Sequence, residues 1–310
     1  MTAAIKMTAA ITTAAHRCAS PLPVSVLIPT RNEEANIAKC LRSVAWAGEI
    51  FVVDSLSTDH TTEIAQSMGA RVIPFRWDGK GPRKYNWSLA NLPWQNEWVL
   101  VVDADEEIPN ALRDEIASIL NTRFDCAGFI ARFDYYFLGR RMRHGDPLWK
   151  LVLFKHTLGR FERIDVPEVT GYDIELHEQP LVQGRIGRLR TRMVHRDNES
   201  LYHHFYRHNI YSDWEAALRT RYRNRDRALE LRADPFGTAI QRRRFWKQLF
   251  MNLPGKPWLY FMWAYLLRGG FLDGRPGFIY AALKAIHWYQ VSVKEYEIRL
   301  RGNDSSGHIG

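Results

Sequence analysis

Asp103 and Asp105 stand two positions apart, directly after the apolar run 98–102 (WVLVV). On a turn leaving a strand, such a pair can offer oxygens to one hard divalent cation, with water and a diphosphate completing an octahedron. Acidic residues also open helices, because they favour the positive end of the helix dipole, so the pair alone leaves both readings open. Asp54 narrows them. It ends a second apolar run, 50–54 (IFVVD), so its carboxylate is expected to face the same crevice and accept a hydrogen bond from a base or ribose. A third polar cluster, 29–33 (PTRNE), closes the run that begins at Val24. Ser57, Thr58 and Asp59 read as capping residues for the helix that follows.

The elements that must position these groups follow from periodicity. Runs 24–29 and 50–54 are short, apolar and β-branched, and read as buried parallel strands. Between them, 33–44 places Ile37, Leu41 and Val44 at helical spacing, with Asn32 as the expected N-cap and Gly48 just past the end. The alternation repeats, with helices expected over 58–68, 84–92 and 109–120 and strands over 71–74 and 98–102. Segments 127–137 and 148–154 read as strands of a less regular second half. Such alternation implies a doubly wound α/β sheet, in which ligands bind at the carboxyl ends of the strands. All three polar clusters fall on that edge.

Several other chemistries are not supported. The chain lacks GxGxxG after its first strand and GxxxxGK[ST] anywhere, which argues against a Rossmann dinucleotide site and a P-loop; a metal must then neutralise any bound diphosphate. There is no Ser-His-Asp arrangement with a nucleophile elbow, and His203, His204 and His208 lack the HExxH spacing of a zinc site. His195 and Arg207 are candidates for contact with an anionic acceptor or the diphosphate.

Segment 24–120 resembles glycosyltransferase family 2, the inverting, nucleotide-sugar-dependent enzymes of the GT-A fold. The likeness is carried by VSVLIPTRNEEANIAKCLRSV, IFVVDSLSTDHTTEIAQSMGARVI, GKGPRKYNWSLA and WVLVVDADEEI, in matching order and spacing. It implies that Pro29, Thr30, Arg31 and Glu33 line the nucleoside pocket and that Asp54 holds the base. By the same resemblance Asp103 and Asp105 contact ribose, diphosphate and a Mg or Mn ion, while Lys84 and Asn86 match positions that approach the donor. A solvated helix face is the other reading of Lys84.

Further along, the chain is similar to the bacterial lipopolysaccharide-core β-glucosyltransferase type. Segment 176–184 (LHEQPLVQG) looks like that subgroup's His-Glu pair followed by an apolar strand and a glycine, and 270–278 (GFLDGRPGF) like its GFLDG signature. Inverting transfer needs one base for the acceptor hydroxyl while diphosphate departs from the opposite face of the sugar. The resemblance gives that role to Glu178, with His177 beside it as an acceptor or phosphate contact. Because 160–175 is longer than the subgroup's usual approach, Glu168 is a second candidate.

Charge and texture describe the rest. The 310 residues are 46% hydrophobic and 25% charged, an ordinary globular composition that excludes disorder and collagen-like repeats. Segment 185–244 holds fifteen Arg and no Lys against seven acids, almost all of the formal net charge of +9. Such a block suits nucleic acid, anionic lipid or a phosphorylated substrate, or is a solvated helix face. From Phe245 the chain turns aromatic and apolar, yet its longest uncharged run, 257–267, is too short to span a bilayer, for which about 20 residues are needed. Helices lying in the membrane interface and helices packing on the main domain both fit this texture. Cys18, Cys40 and Cys126 form neither a disulfide framework nor a zinc ribbon. The start lacks the apolar stretch of a secretory signal, and Met7 is a second candidate initiator.

The expectation is therefore an α/β protein of GT-A type, with a doubly wound, mostly parallel sheet over 24–199 and an aromatic, Arg-rich helical extension over 200–300 on the membrane surface. Residues 1–23 are an expected disordered extension and 301–310 a flexible tail. The expected partners are a nucleotide diphosphate sugar, a UDP-sugar first among them, a saccharide or glycolipid acceptor and an anionic membrane surface, with no nucleic acid. The expected location is cytoplasmic, peripheral on the inner face of the plasma membrane. Two rivals are a polyprenyl-phosphate glycosyltransferase of the same fold and, more remotely, a basic nucleic-acid-binding protein.

Overall fold

The computed structural model describes residues 20–79, 82–122, 125–163, 180–197, 200–222, 233–237 and 239–306. The first half is the expected alternation. Strand β1 (Leu22–Thr30) pairs in parallel with β2 (Ala47–Asp54) on one side and with β4 (Trp98–Val101) on the other, and β3 (Arg71–Pro74) extends the sheet beyond β2. Helices α1 (Ile37–Val44), α2 (Thr61–Ser67), α3 (Lys84–Asn91) and α4 (Asn110–Asn121) fill the connections.

Successive side chains of a strand point to opposite faces, and the apolar runs use both. Val26, Ile28, Val52 and Leu100 pack on α1 and α4 through Ile37, Leu41, Val44, Leu112 and Ile116. Leu27, Phe51, Val53, Val99 and Val101 form the opposite layer with Phe75, Leu92 and Phe154. Each such fully buried aliphatic or aromatic side chain contributes about 1.5–3 kcal/mol relative to exposure.

The second half departs from parallel pairing. Strand β8 (Trp149–Lys155) runs antiparallel to β4, β6 (Gly128–Phe137) antiparallel to β8, and β12 (Met193–Asp197) parallel to β6. The two-residue β5 (Glu106–Glu107) ends the path, antiparallel to β12. Strands β7 (Arg140–Met142) and β11 (Ile186–Arg188) add to β6, while β9 (Gly159–Phe161) and β10 (Pro180–Val182) form a separate ribbon. β5 follows β4 by only four residues, yet three strands lie between them in the sheet. Laid flat, that path measures about 19 Å at 4.8 Å per strand. The link is instead a tight turn, in which the Glu106 N–H donates to the Asp103 carbonyl at 2.9 Å. The sheet therefore curls, wrapping β8, β6 and β12 around the turn that carries Asp103 and Asp105.

Beyond Asp197 the described chain is helical: α5 (Leu201–Tyr222), α6 (Ala239–Met251), α7 (Lys256–Phe261) running into a π-helical turn at 262–267, a 3-10 turn (Gly270–Asp273) and α8 (Gly274–Ser306). Helix α8 packs along α5, joined by the Arg219–Glu295 ion pair and by Lys294, whose ammonium donates to the Asn209 carbonyl at 2.7 Å. Members of the Arg block are distributed among separate partners, Arg192 to Asp134, Arg196 to Glu107 and Arg244 to Glu162, and do not form one solvated face.

Two local expectations fail. Asn32 does not cap α1, which starts at Ile37 after Asn36; it takes a left-handed conformation (φ 56°) and binds the β2–α2 loop instead. Asn tolerates that region better than most residues. Gly48 is not a helix terminator but a residue of β2, where an added Cβ would come within 3.0 Å of the Leu22 carbonyl.

The GFLDGRPGF segment contains a tighter constraint. A Cβ on Gly277 would collide with the carbonyl oxygen of Gly270, so only glycine lets α8 start under the 3-10 turn. Gly277→Ala is expected to destabilise the fold by about 1–3 kcal/mol, read as a lower denaturant midpoint with an unchanged m-value.

Candidate functional site

Two groups of side chains meet at the carboxyl edge, and α3 joins them. The first is Thr30, Asp54 and Lys84. Thr30 and Asp54 are partners across β1 and β2. The Thr30 hydroxyl donates to Asp54 Oδ1 at 3.1 Å, and the Ser57 N–H donates to Oδ2 at 2.8 Å. Asp54 is only 3% exposed. Its carboxylate thus does not project into the crevice as expected; it turns back to close its own loop, an arrangement natural to Asp. Lys84 is buried, not on a solvated face, and its ammonium donates to the Thr30 carbonyl at 3.2 Å.

Loops β1–α1 and β2–α2 are laced together above this group. The Asn32 N–H donates to Ser57 Oγ at 2.8 Å, the Thr58 N–H to Asn32 Oδ1 at 2.8 Å and the Glu33 N–H to Thr61 Oγ1 at 2.7 Å. The Glu33 carboxylate accepts from the Asn36 amide at 2.9 Å. Asp59 accepts from the Thr61 N–H at 3.1 Å, but the N-cap of α2 is His60, one residue past the expected capping residues. Pro29 is half-buried and Arg31 exposed at the mouth.

The second group surrounds the Asp103–Glu106 turn. The Asp103 carboxylate accepts from the Lys150 ammonium at 2.5 Å and from the Tyr85 hydroxyl at 3.2 Å. Burial pushes the Asp103 carboxyl up, but Lys150, His195 and the Tyr85 hydroxyl outweigh it and hold the group below the usual carboxylate value. Glu106, 1% exposed, accepts from the Asp103 N–H at 2.9 Å and lies 3.4 Å from Lys150 and 3.7 Å from His195 Nδ1. Burial would lower Lys150, yet Asp103 and Glu106 raise it well above an ordinary lysine. Asp105 has His195 Nε2 at 3.6 Å as its ion-pair partner among the described residues. Burial first, then Asp103 and Glu106, lift the Asp105 carboxyl to about 6 against the pull of His195 and Arg207.

Asp54 ends β2 and Asp103 follows β4 by two residues, on strands either side of β1 that are two strand spacings or about 10 Å apart, a span that one nucleoside diphosphate can bridge. The donor chemistry at the turn fits a hard divalent cation, since both residues offer carboxylate oxygens and Asp105 is a carboxylate short of positive charge. Among the described residues no three His, Cys, Asp or Glu side chains close a cage by themselves.

Asn86 is bonded to the backbone of β9. Its amide nitrogen donates to the Phe161 carbonyl and its oxygen accepts the Phe161 N–H, both at 2.9 Å, which straps α3 to β9. Glu178, His177 and Glu168 lie outside the described residues. The side chains that the sequence did not single out are Lys150, Glu106 and Tyr85. Lys150 sits in an apolar strand and shares a cross-strand position with Ala131, and a lone Lys there was the available signal. His195 was anticipated as an anion contact, but it faces carboxylates and stacks on Tyr135 at 5.2 Å.

His195 carries a pH dependence with a definite sign. Burial lowers it, Asp105 and Glu106 outweigh burial, and its pKa rises to about 9. A raised folded-state value means that the stabilisation is complete below the unfolded value of about 6.5 and is lost as pH rises through about 9. In metal-free buffer, the melting-temperature advantage of the parent chain over His195→Gln is expected to be largest near pH 6 and to shrink by pH 9.5.

Comparison with known proteins places this edge in a family. Residues 25–179, half of the chain, match the model described as Glycosyl transferase family 2. An uncharacterized glycosyltransferase of Rickettsia typhi is 45% identical over 97 residues, 31% of this chain; the match spans 32% of that relative, about a third of its length. The lipopolysaccharide core biosynthesis glycosyltransferase LpsC of Rhizobium meliloti is 28% identical over 284 residues, 89% of this chain and 93% of that protein. Among solved structures, the mannosyltransferase PcManGT of Pyrobaculum calidifontis, in complex with GDP-Man and Mn2+, has a TM-score of 0.49 and 16% identity, covering 90% of this chain and 88% of its own. By the extent of that family match, the chain belongs to glycosyl transferase family 2.

Proposed function

We propose that this chain moves a hexose from a nucleotide diphosphate sugar onto a lipid-linked saccharide or lipopolysaccharide core, inverting the anomeric centre. The observation that carries the reading is the meeting of Asp103 and Asp105 at one strand edge with the Thr30–Asp54–Lys84 group, joined through Tyr85 and Lys84 of α3. Asp105, with Asp103 beside it, would hold Mg or Mn. When bound, the ion takes up charge developing on the departing diphosphate. Thr30 and the loops held by Asp54 shape the nucleoside end, and Lys84 and Lys150 add fixed positive charge along the path. The relatedness to LpsC supports the choice of acceptor.

Glu178 is the proposed base, with Glu168 as the other candidate. Its place in the chain supports it: Glu178 stands two residues before Pro180, whose strand β10 pairs with Phe161. The Phe161 ring stacks at 4.3 Å on Tyr85, the residue that touches Asp103.

The C-terminal helices support contact with lipid. Among the described residues no helix is long and apolar enough to cross a membrane. Trp258 is 75% and Leu267 80% exposed, with Leu272 and Phe278 also open and the exposed cations Arg268 and Arg275 in the same stretch. Apolar side chains beside cations suit an anionic lipid surface.

Thermal shifts of the purified chain with UDP-, GDP- and dTDP-sugars in Mn test the donor, and stabilisation by one class alone is expected. Asp105→Ala is expected to remove the Mn dependence of nucleotide binding and to slow transfer by about 100-fold or more; unimpaired turnover would refute the metal assignment. Glu178→Gln is expected to slow turnover by about 100-fold while sparing donor affinity. The same loss at Glu168→Gln instead would move the base to that residue. Turnover surviving both would point to an acceptor phosphate oxygen, already ionised and needing no base.

A further inference from the structure

A shallow cleft opens between β6 and the beginning of α8, separate from the Asp103–Glu106 turn. Arg132, Arg143, Arg192, His144, Tyr135 and Tyr280 line it, together with one carboxylate, Asp146. We propose that this cleft is a subsite for the acceptor and takes an oxyanion, a phosphate or carboxylate carried by the acceptor saccharide. The proposal rests on the transferase reading above and adds the chemical class of the acceptor.

The cations gathered here have no structural need of one another. Arg132 projects from β6, its guanidinium carbon 5.9 Å from the Trp149 ring centre. Its Nε is buried and has no hydrogen-bond partner within the protein. A buried donor left without an acceptor is unfavourable, and a bound oxyanion removes that penalty. Burial and the neighbouring Arg192 and Arg268 all disfavour its charge, which Asp134 only partly offsets. The acids nearby are already engaged. Asp134 accepts from Arg141 at 2.7 Å and from Arg192 at 3.0 Å, and Asp146 accepts from the Tyr260 hydroxyl at 3.3 Å. Guanidinium groups facing one small space are suited to phosphate and carboxylate, whose planar or tetrahedral oxygens they can grip in pairs.

The position of the cleft suits an acceptor. Tyr135 stacks on His195 at 5.2 Å, and His195 reaches Asp105 at 3.6 Å. Tyr280 lies against Tyr135 at 5.3 Å. The cleft thus begins one aromatic ring away from the proposed transfer centre. Two tyrosine rings offer flat apolar faces to a sugar while the arginines hold its anionic substituent.

The GFLDG segment fastens one wall of the cleft. Asp273, buried, accepts the Arg143 N–H at 3.0 Å and the His144 N–H at 2.9 Å, and its other oxygen lies 3.1 Å from His144 Nδ1. The Gly145 N–H donates to the Arg268 carbonyl at 3.0 Å. Asp273 is therefore a positioning residue, holding the 143–146 segment against the helical extension so that Arg143 and His144 face Arg132.

Calorimetric titration of the full chain tests this with glucose 6-phosphate, glucose, phosphatidylglycerol vesicles and UDP with Mn as separate probes. Glucose 6-phosphate is expected to bind, more weakly as salt rises, and glucose is not. Arg132→Gln and Arg143→Gln are each expected to weaken glucose 6-phosphate at least tenfold while leaving UDP–Mn affinity within twofold. Arg143 has an exposed side chain, so its variant keeps the test open should Arg132→Gln fold poorly. Equal affinity for glucose 6-phosphate in both variants and the parent chain, or equal affinity for glucose, overturns the proposal. So does Arg132-dependent binding to phosphatidylglycerol vesicles without any binding of the sugar phosphate, which would make the cleft a lipid headgroup site. Failure of UDP–Mn to bind the parent chain overturns the transferase reading, and that result is distinct from the sugar-phosphate arm.

Discussion

The carboxylate of Glu106, almost sealed from solvent, is the constraint around which the rest of this molecule is organised. A charge taken out of water must be matched by partners at close range or it destabilises the fold by several kcal/mol. Glu106 finds one partner in its own turn, the Asp103 N–H, and two on strands remote in sequence, Lys150 on β8 and His195 on β12. Meeting all three requires the sheet to curl until its outermost strand returns to the end of β4. The curl is thus tied to an ionic requirement as well as to packing, and it sets Asp103 and Asp105 on an edge lined from both sides. Removing either cation would leave acids buried together, which is why the turn and the far half of the sheet must form as one unit.

The same cluster is not electrically closed. Asp103, Asp105 and Glu106 face Lys150 and His195, and Asp105 is the member left with the longer, weaker contact. Its carboxyl is accordingly lifted to about 6, whereas Asp103, gripped by Lys150, is held down. Two carboxylates two residues apart therefore differ in what they can do. Asp103 is committed to an internal partner and orients the turn, and Asp105 has a charge that an external cation would compensate. At an effective dielectric of 20, one unit charge 4 Å away is worth about 4 kcal/mol, enough to reverse the destabilisation that its neighbours impose on Asp105.

Much of this architecture could be read from the sequence, and what escaped did so for identifiable reasons. The parallel half was legible because β1, β2 and β4 are buried on both faces and so read as unbroken apolar runs. Two strands of the second half, 127–137 and 148–154, were located as well, but β12 and the antiparallel order were not, since pairing depends on contacts that no local pattern encodes. Asp103 and Asp105 stood out through spacing. Lys150 and Glu106, equally central, did not, because a lone Lys in a strand and a second acid in an acidic turn have bland alternatives of equal weight. Asp54 was found at the right edge and assigned the wrong posture: periodicity gives the face of a strand, while the last residue of that strand is free to bend back and bond its own loop.

Asn86 and Asp273 extend that lesson from finding residues to assigning their roles. Both are short polar residues at motif positions, and both direct their polar atoms to backbone groups of another element: Asn86 to Phe161, Asp273 to Arg143 and His144. Each thereby fixes a segment that carries or borders the proposed chemistry, the β9–β10 ribbon leading from Glu178 in one case and the arginine-lined cleft in the other. A side chain that satisfies two backbone groups at once has little left to offer a ligand, and moving it would displace both bonds together. Motif residues of this kind act through geometry, whereas the polar atoms that the protein itself leaves underused, on Asp105 and Arg132, are the ones open to a ligand.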